Sequence, residues 1–130
     1  MGMDQTVTFG DRPPPTWAAV DELLRRHGFP VQMRMIDGQL AFPDEIPPEA
    51  WRELRVGTPQ GMVTLRREGG GIVCVTWGNA DAALRQAWNA LAWAFAEAGS
   101  GRVQTTDGFA DAAAFRRGAE LPSVLHPPSA

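Results

Sequence analysis

Apolar residues near the start of the chain recur at helical spacing. Intervals of three and four positions define one face of a helix with Trp17, Val20, Leu24 and His27. Thr16 precedes this pattern and is a suitable N-cap, because its hydroxyl can accept a hydrogen bond from a free N–H of the first turn. We therefore predict a helix over residues 16–27, with residues 1–15 as a lead-in.

The segment over residues 31–42 has the pattern of a β-hairpin. Asp37 and Gly38 lie at its centre, and this pair is favoured in type I′ turns, in which both residues need a positive φ. A two-residue turn would create an apolar face that consists of Met33, Met35, Leu40 and Phe42. We expect that face to be directed towards the core.

Residues 52–77 predict a three-stranded meander. If its turns have four and three residues, one face receives Leu54, Val56, Val63, Leu65, Val73, Val75 and Trp77. The other face then receives Glu53, Arg55, Thr64, Arg66, Cys74 and Thr76. A two-residue second turn would mix the two sets. Since a shift of one residue moves every side chain to the opposite face, we predict the register that separates them, with Glu53 across from Arg66.

The longest amphipathic pattern lies over residues 80–98. Its apolar stripe consists of Leu84, Trp88, Leu91, Phe95 and Ala98. Asn79 is a candidate N-cap, and Gly99 is a candidate helix stop because glycine readily adopts the left-handed conformation. We predict a helix between these two residues.

The C-terminal part of the chain has weaker patterns. Residues 102–106 are compatible with one more short strand, and residues 110–117 with a last helix that Asp107 would cap. Residues 119–130 contain three prolines and predict an extended tail.

Together the elements predict an α+β fold, with residues 1–130 as a single domain. The hairpin 31–42 and the meander 52–77 supply most of an antiparallel sheet of about five to six strands, whose apolar face must be covered. Helices 16–27 and 80–98 are the elements that would cover it.

Composition narrows the class of function. The net charge is −3, whereas proteins that bind nucleic acid generally have a basic excess, so a nucleic-acid partner is not expected. The chain has three arginine doublets, Arg25-Arg26, Arg66-Arg67 and Arg116-Arg117, and their contact with an RNA backbone stays an alternative. The chain has one cysteine and no apolar run of about 20 residues, which favours a cytoplasmic protein without a membrane span. All twelve basic residues are arginine, a bias typical of GC-rich bacterial genomes.

Candidate chemistry is sparse, and we expect no catalytic residue, no metal site and no cofactor. The two histidines, His27 and His126, are far apart in sequence and have no partner at motif spacing. One alternative is a small ligand-binding protein or enzyme that uses the polar sheet face. In it, Cys74 would be a thiolate activated by Arg66, and Arg55 would be a further anion contact.

Trp93 is the residue least explained by the predicted fold. It lies on the back of helix 80–98, opposite the apolar stripe, beside Gln86 and Asn89. Leaving about 200 Å² of indole in water would forgo about 5 kcal/mol. Either another element of the chain covers Trp93, or a partner protein does.

These observations favour a small non-enzymatic protein-interaction domain. Its overall organisation is similar to that of small bacterial inhibitor or immunity proteins, and self-association as a homodimer is a further possibility. The residues expected to bind a partner lie around Trp93 and on the polar sheet face: Gln86, Asn89, Trp93, Arg55, Thr64, Arg66 and Thr76.

Overall fold

A computed structural model describes residues 2–77, 79–105 and 108–128, without the side chains of residues 2, 3 and 77. The described strands form one antiparallel sheet: β1 Gly2–Thr8, β2 Gln32–Ile36, β3 Gln39–Leu40, β4 Glu53–Thr58, β5 Gly61–Glu68, β6 Gly71–Trp77, β7 Arg102–Thr105 and β8 Gly108–Asp111. The helices are α1 Trp17–Arg26, α2 Ala82–Gly99 and α3 Ala112–Gly118, followed by a 3₁₀ turn at Ser123–Leu125. The predicted α+β class is confirmed, and the sheet of eight strands is wider than expected.

The strand order is β3-β2-β4-β5-β6-β1-β7-β8. Helix α2 packs across the middle of this sheet and contacts β5, β6, β1 and β7, with α1 and α3 on either side of it. The core therefore lies between α2 and one face of the sheet, which we call the inner face. The opposite face, which we call the open face, has no described helix against it.

Strand β1 was not predicted, because residues 1–15 were assigned to a lead-in. It lies inside the sheet, where Val7 pairs with Ile72 of β6 and with Val103 of β7. Its other fully described inward residue is Gln5, which is buried and donates a hydrogen bond to Asn89. A buried polar residue removes the apolar alternation by which a strand is recognised in a sequence.

The prediction for α1 is confirmed. The Thr16 hydroxyl accepts a hydrogen bond from the backbone N–H of Ala19, at 3.2 Å. Three of the four predicted face residues, Trp17, Val20 and Leu24, are buried. The helix ends at Arg26 with His27 as its C-cap, and Gly28 follows with a φ of 80°.

The hairpin turn is also confirmed, but its apolar face is divided. Asp37 and Gly38 have φ values of 49° and 84°, and Met35 pairs with Leu40. The pairing of β2 with β4 shifts register between Met33 and Met35, as a β-bulge does. Met33 consequently faces the core, whereas Leu40 is 88% exposed. Phe42, at the end of the hairpin, is 75% exposed as well.

The first half of the meander has the predicted register, and the second half does not. Leu54 pairs with Leu65 and Val56 with Val63, as expected. The glycine turn, however, has two central residues, so Leu65 pairs with Cys74. The observed register buries Ile72, which the predicted register would have turned to the open face. Strand β6 lies between two other strands, and its residues 72–74 are buried on both faces of the sheet. Its sequence therefore has no alternation of apolar and polar residues that would show which side chains point to the inner face.

The N-cap of α2 lies two residues after the predicted one, and its left-handed C-terminal residue lies one residue after the predicted one. Asp81, rather than Asn79, is the N-cap, and its carboxylate accepts a hydrogen bond from the N–H of Leu84 at 2.8 Å. The left-handed residue at the C-terminus is Ser100, with a φ of 53°. Gly99 is required for another reason, since a Cβ there would lie 2.6 Å from a ring carbon of Phe9.

The C-terminal helix begins at Ala112, two residues later than predicted. Asp111 is its N-cap and accepts a hydrogen bond from the N–H of Ala114, whereas the predicted cap, Asp107, lies outside the described residues. The preceding residues form strand β8, which is the edge strand beside β7.

Asp37 links the hairpin to β4 and provides a test of this part of the fold. Its carboxylate accepts hydrogen bonds from the N–H groups of Glu53 and Arg52, at 2.9 and 2.8 Å, and these bonds lower its pKa. We expect Asp37→Ala to reduce the free energy of unfolding by about 1 kcal/mol in urea titrations, a typical loss for such bonds. Asp37→Asn, which keeps the acceptor and tolerates a positive φ, should lose less.

The same carboxylate should make stability depend on pH in the acidic range. A lowered folded-state pKa means that the contribution is present above the unfolded pKa and is lost as the pH falls through the folded pKa. The stability difference between wild type and Asp37→Asn should therefore shrink below about pH 4. A constant difference down to pH 2 would contradict this role.

Candidate interaction surface

Trp93 is buried inside the chain and is only 1% exposed. The imidazole of His27 contacts the indole edge-on, with ring centroids 5.4 Å apart. The guanidinium of Arg116, on α3, lies 5.1 Å from the centroid of the indole. The end of α1 and the C-terminal helix thus cover the back of α2. Trp93 is therefore covered by other elements of the same chain, which was the first of the two explanations. The predicted docking surface around Trp93 is not exposed to a partner.

The two predicted neighbours of Trp93 belong to the same interior. Asn89 is 9% exposed and accepts a hydrogen bond from Gln5 while donating one to the carbonyl of Glu120. Gln86 is half-buried. Asn89 therefore connects β1 to the C-terminal segment and does not present an amide to a partner.

The C-terminal segment is packed on the domain as far as His126, although an extended tail was expected. Leu121 and Leu125 are buried in the core. The guanidinium of Arg116 donates hydrogen bonds to the carbonyls of Leu125 and His126. The three prolines of this segment led to the prediction of an extended tail. The spacing of four residues between Leu121 and Leu125 could have indicated that both side chains pack on the core.

The structure removes the chemical basis of a cysteine site. Cys74 is fully buried on the inner face, whereas Arg66 is on the open face. Burial raises the pKa of the Cys74 thiol from 9.0 to about 12. Thr76, also predicted on the polar face, is 3% exposed and directed inward. Cys74 therefore has no thiolate near neutral pH, and neither residue can contact a partner.

Three of the predicted binding residues, Arg55, Thr64 and Arg66, do lie on the open face. Since paired residues share a face, the strand register defines rows of side chains across it. The first row consists of Leu40, Met35, Arg55, Thr64, Val75 and Asp4. The second row consists of Glu53, Arg66, Val73, Thr6, Gln104 and Phe109.

The open face combines exposed apolar side chains with charges of both signs. The exposed fractions of Leu40, Met62 and Phe109 are 88%, 52% and 60%. Its charged residues are Arg34, Arg55, Arg66, Arg102, Asp4, Glu53, Glu68 and Asp111. Glu53 and Arg66 form the predicted cross-strand ion pair, at 3.4 Å.

Arg55 and Asp4 differ from that ion pair. Within the described part of the chain, neither side chain makes a hydrogen bond or an ion pair, and Asp4 and Arg55 are both exposed. They occupy the same row but are separated by β5 and β6. The face therefore holds an unpaired cation and an unpaired anion at matching height on strands β4 and β1.

The cleft near the start of α1 is a weaker candidate for a binding site than the open face. A cleft of about 480 Å³ near the start of α1 is lined by prolines, Trp17, Trp51 and Arg67. The guanidinium of Arg67 lies 4.5 Å from the indole centroid of Trp51 and donates to the carbonyl of Glu49. Its Nε has no hydrogen-bond partner among the described residues, but this atom is shielded from solvent and thus from a ligand.

No group of three or more His, Cys, Asp or Glu side chains in the part of the chain that the structure describes could hold a metal ion. None of the described helices has the combined length and hydropathy that crossing a bilayer requires. Comparison of the chain with protein-family models, curated proteins and solved structures finds no match.

Proposed function

We propose that this chain is a non-enzymatic protein-interaction domain that binds its partner through the open face of the sheet. The observation that supports it most is the one-sided architecture. All three described helices lie on the inner face, and the open face exposes Leu40, Met62 and Phe109 to solvent. Arginine and large apolar side chains such as Met and Phe are enriched in protein interfaces, and the open face presents both kinds.

The size of the open face suits such a role. Eight strands about 4.8 Å apart span about 34 Å, and a mean length of five to six residues gives about 18 Å along the strands. The projected area is then about 600 Å², close to the roughly 800 Å² per partner of a standard interface.

A protein partner is favoured over a small molecule because the exposed apolar side chains are spread across the sheet from β3 to β8 and do not converge on one cleft. Inhibitor or immunity proteins, and homodimeric regulatory proteins, both bind through surfaces of this kind, and we propose one of these roles. Bacterial origin and a cytoplasmic location remain predictions from composition.

The proposal predicts that apolar-to-charged substitutions on the open face abolish partner binding. Leu40→Asp and Phe109→Asp should remove a partner that wild type retains in affinity capture from cells that express the chain natively. A buried charge in an interface weakens binding by about a hundredfold or more. Binding should then be measured by titration with the purified partner.

Two matched controls are available away from the open face. Val124 and Ile46 are 47% and 73% exposed, and they lie on the C-terminal 3₁₀ turn and on the loop before β4. Val124→Asp and Ile46→Asp should keep the partner, and thermal unfolding should confirm that all four variants fold. A partner that is retained by both open-face variants, or lost equally from the controls, would refute the proposal.

A further inference from the structure

We infer that the partner on the open face is a second copy of this chain, in a face-to-face dimer with two-fold symmetry. This inference depends on the proposed use of the open face and adds the identity of the occupant. It follows from the charges of that face, from its area and from the position of the middle of the sheet.

The charges on the open face are balanced and therefore self-complementary. Four arginines are matched by four carboxylates, so the described part of the face has no net charge that would select an acidic or a basic partner. In a two-fold interface the same surface occurs on both sides, so cations of one copy can face anions of the other only if that surface carries charges of both signs. A balanced face meets that condition, whereas a face of one sign would repel its copy.

The sheet has a natural axis for such a dimer. The order β3-β2-β4-β5-β6-β1-β7-β8 has four strands on either side of the boundary between β5 and β6. A two-fold axis parallel to the strands at this boundary sets β4 opposite β1 of the second copy and keeps every residue at its height along the strand. The strands of the two sheets are then aligned, as in sheet-on-sheet packing.

This arrangement brings together two charges that have no partner within the described part of one chain. Arg55 on β4 comes to lie against Asp4 on β1 of the second copy, because both belong to the first row. Symmetry forms the pair twice. Thr64 meets Val75 of the second copy at the centre, where the side chains are small enough for the sheets to approach.

The exposed apolar residues are placed at the two edges of the same interface. Leu40 lies on β3 and Phe109 on β8, which the two-fold axis brings together from different copies. The two residues occupy adjacent rows, about 7 Å apart along the strands. Burial of both side chains at each edge would add a hydrophobic contribution to the free energy of dimerisation, which charge pairs alone do not provide.

A charge-swap experiment tests this geometry. Sedimentation velocity over a concentration series should show a monomer–dimer equilibrium for wild type. Arg55→Asp and Asp4→Arg should each raise the dissociation constant at least about tenfold, because each substitution sets like charges together at two sites. The double variant with Asp4→Arg and Arg55→Asp should restore the dissociation constant to within about threefold of wild type.

Arg26→Asp is the matched control, since Arg26 is an exposed arginine on α1. It should leave dimerisation unchanged, and circular dichroism should show all variants folded. A dimer that is insensitive to both single substitutions, or singles that the double variant does not rescue, overturns the arrangement.

A wild type that stays monomeric up to about 100 µM, a concentration about a hundredfold above a dissociation constant of 1 µM, overturns the self-association itself. That result is distinguishable from failure of the proposed function, which the Leu40 and Phe109 variants decide with a heterologous partner. If those variants also keep every captured partner, the open face is not an interaction surface.

Discussion

Replacing Trp93 by alanine should reduce the free energy of unfolding by about 3–5 kcal/mol, the usual cost of removing a large buried aromatic side chain. Trp93 is 1% exposed and is enclosed by His27 from α1 and Arg116 from α3. Loss of the indole would leave a cavity between three helices. For a domain whose total stability is typically about 5–15 kcal/mol, this loss would be a large fraction.

Trp93→Phe is the informative control. The Nε1 atom of Trp93 is buried without a hydrogen-bond partner among the described residues, and such a donor costs about 1–3 kcal/mol. Phenylalanine removes that donor while it keeps an aromatic ring beside Arg116, so the loss of volume is largely offset. We expect a change of about 1 kcal/mol or less in urea titrations. An alanine variant as stable as wild type would show that Trp93 is not enclosed.

The second large effect concerns the reactivity of Cys74. Burial raises its pKa to about 12 from 9.0. Because the thiolate is the reactive species, labelling by a disulfide reagent near pH 8 should be about a thousandfold slower in the native protein than in urea. Cys74 is the only cysteine, so the signal is unambiguous. Equal rates in both states would restore the possibility of a thiol site.

The same pKa shift predicts the direction of a pH effect on stability. A thiol whose pKa is raised on folding keeps its proton in the folded state after the unfolded chain has lost it. Stability therefore falls as the pH rises from about 9 towards 12, by about 1.4 kcal/mol per unit. The stability difference between wild type and Cys74→Ala should change in that direction by about 1 kcal/mol between pH 8 and pH 10. A difference that is constant with pH would contradict the burial of the thiol.

The sheet face predicted for the candidate residues was correct for some of them and wrong for others. Arg55, Thr64 and Arg66 lie on the open face because the β4–β5 turn and pattern agree. Cys74 and Thr76 were assigned to that face from a glycine turn counted as three residues. A change of one residue in a turn reverses every later side chain of the strand. Asp4 and Phe109 were missed because the strands that carry them have no apolar alternation.

The sequence by itself determined the elements whose signals are local. The helix caps at Thr16, the Asp37-Gly38 turn, the β4–β5 register and the span of α2 all depend on residues within a few positions of one another. Tertiary structure alone decided the insertion of β1 between β6 and β7, and the cover of Trp93 by the end of α1 and by α3. These features depend on contacts between residues up to 84 positions apart, such as Gln5 with Asn89. No local periodicity records such contacts, because their free energy arises only once the chain has folded.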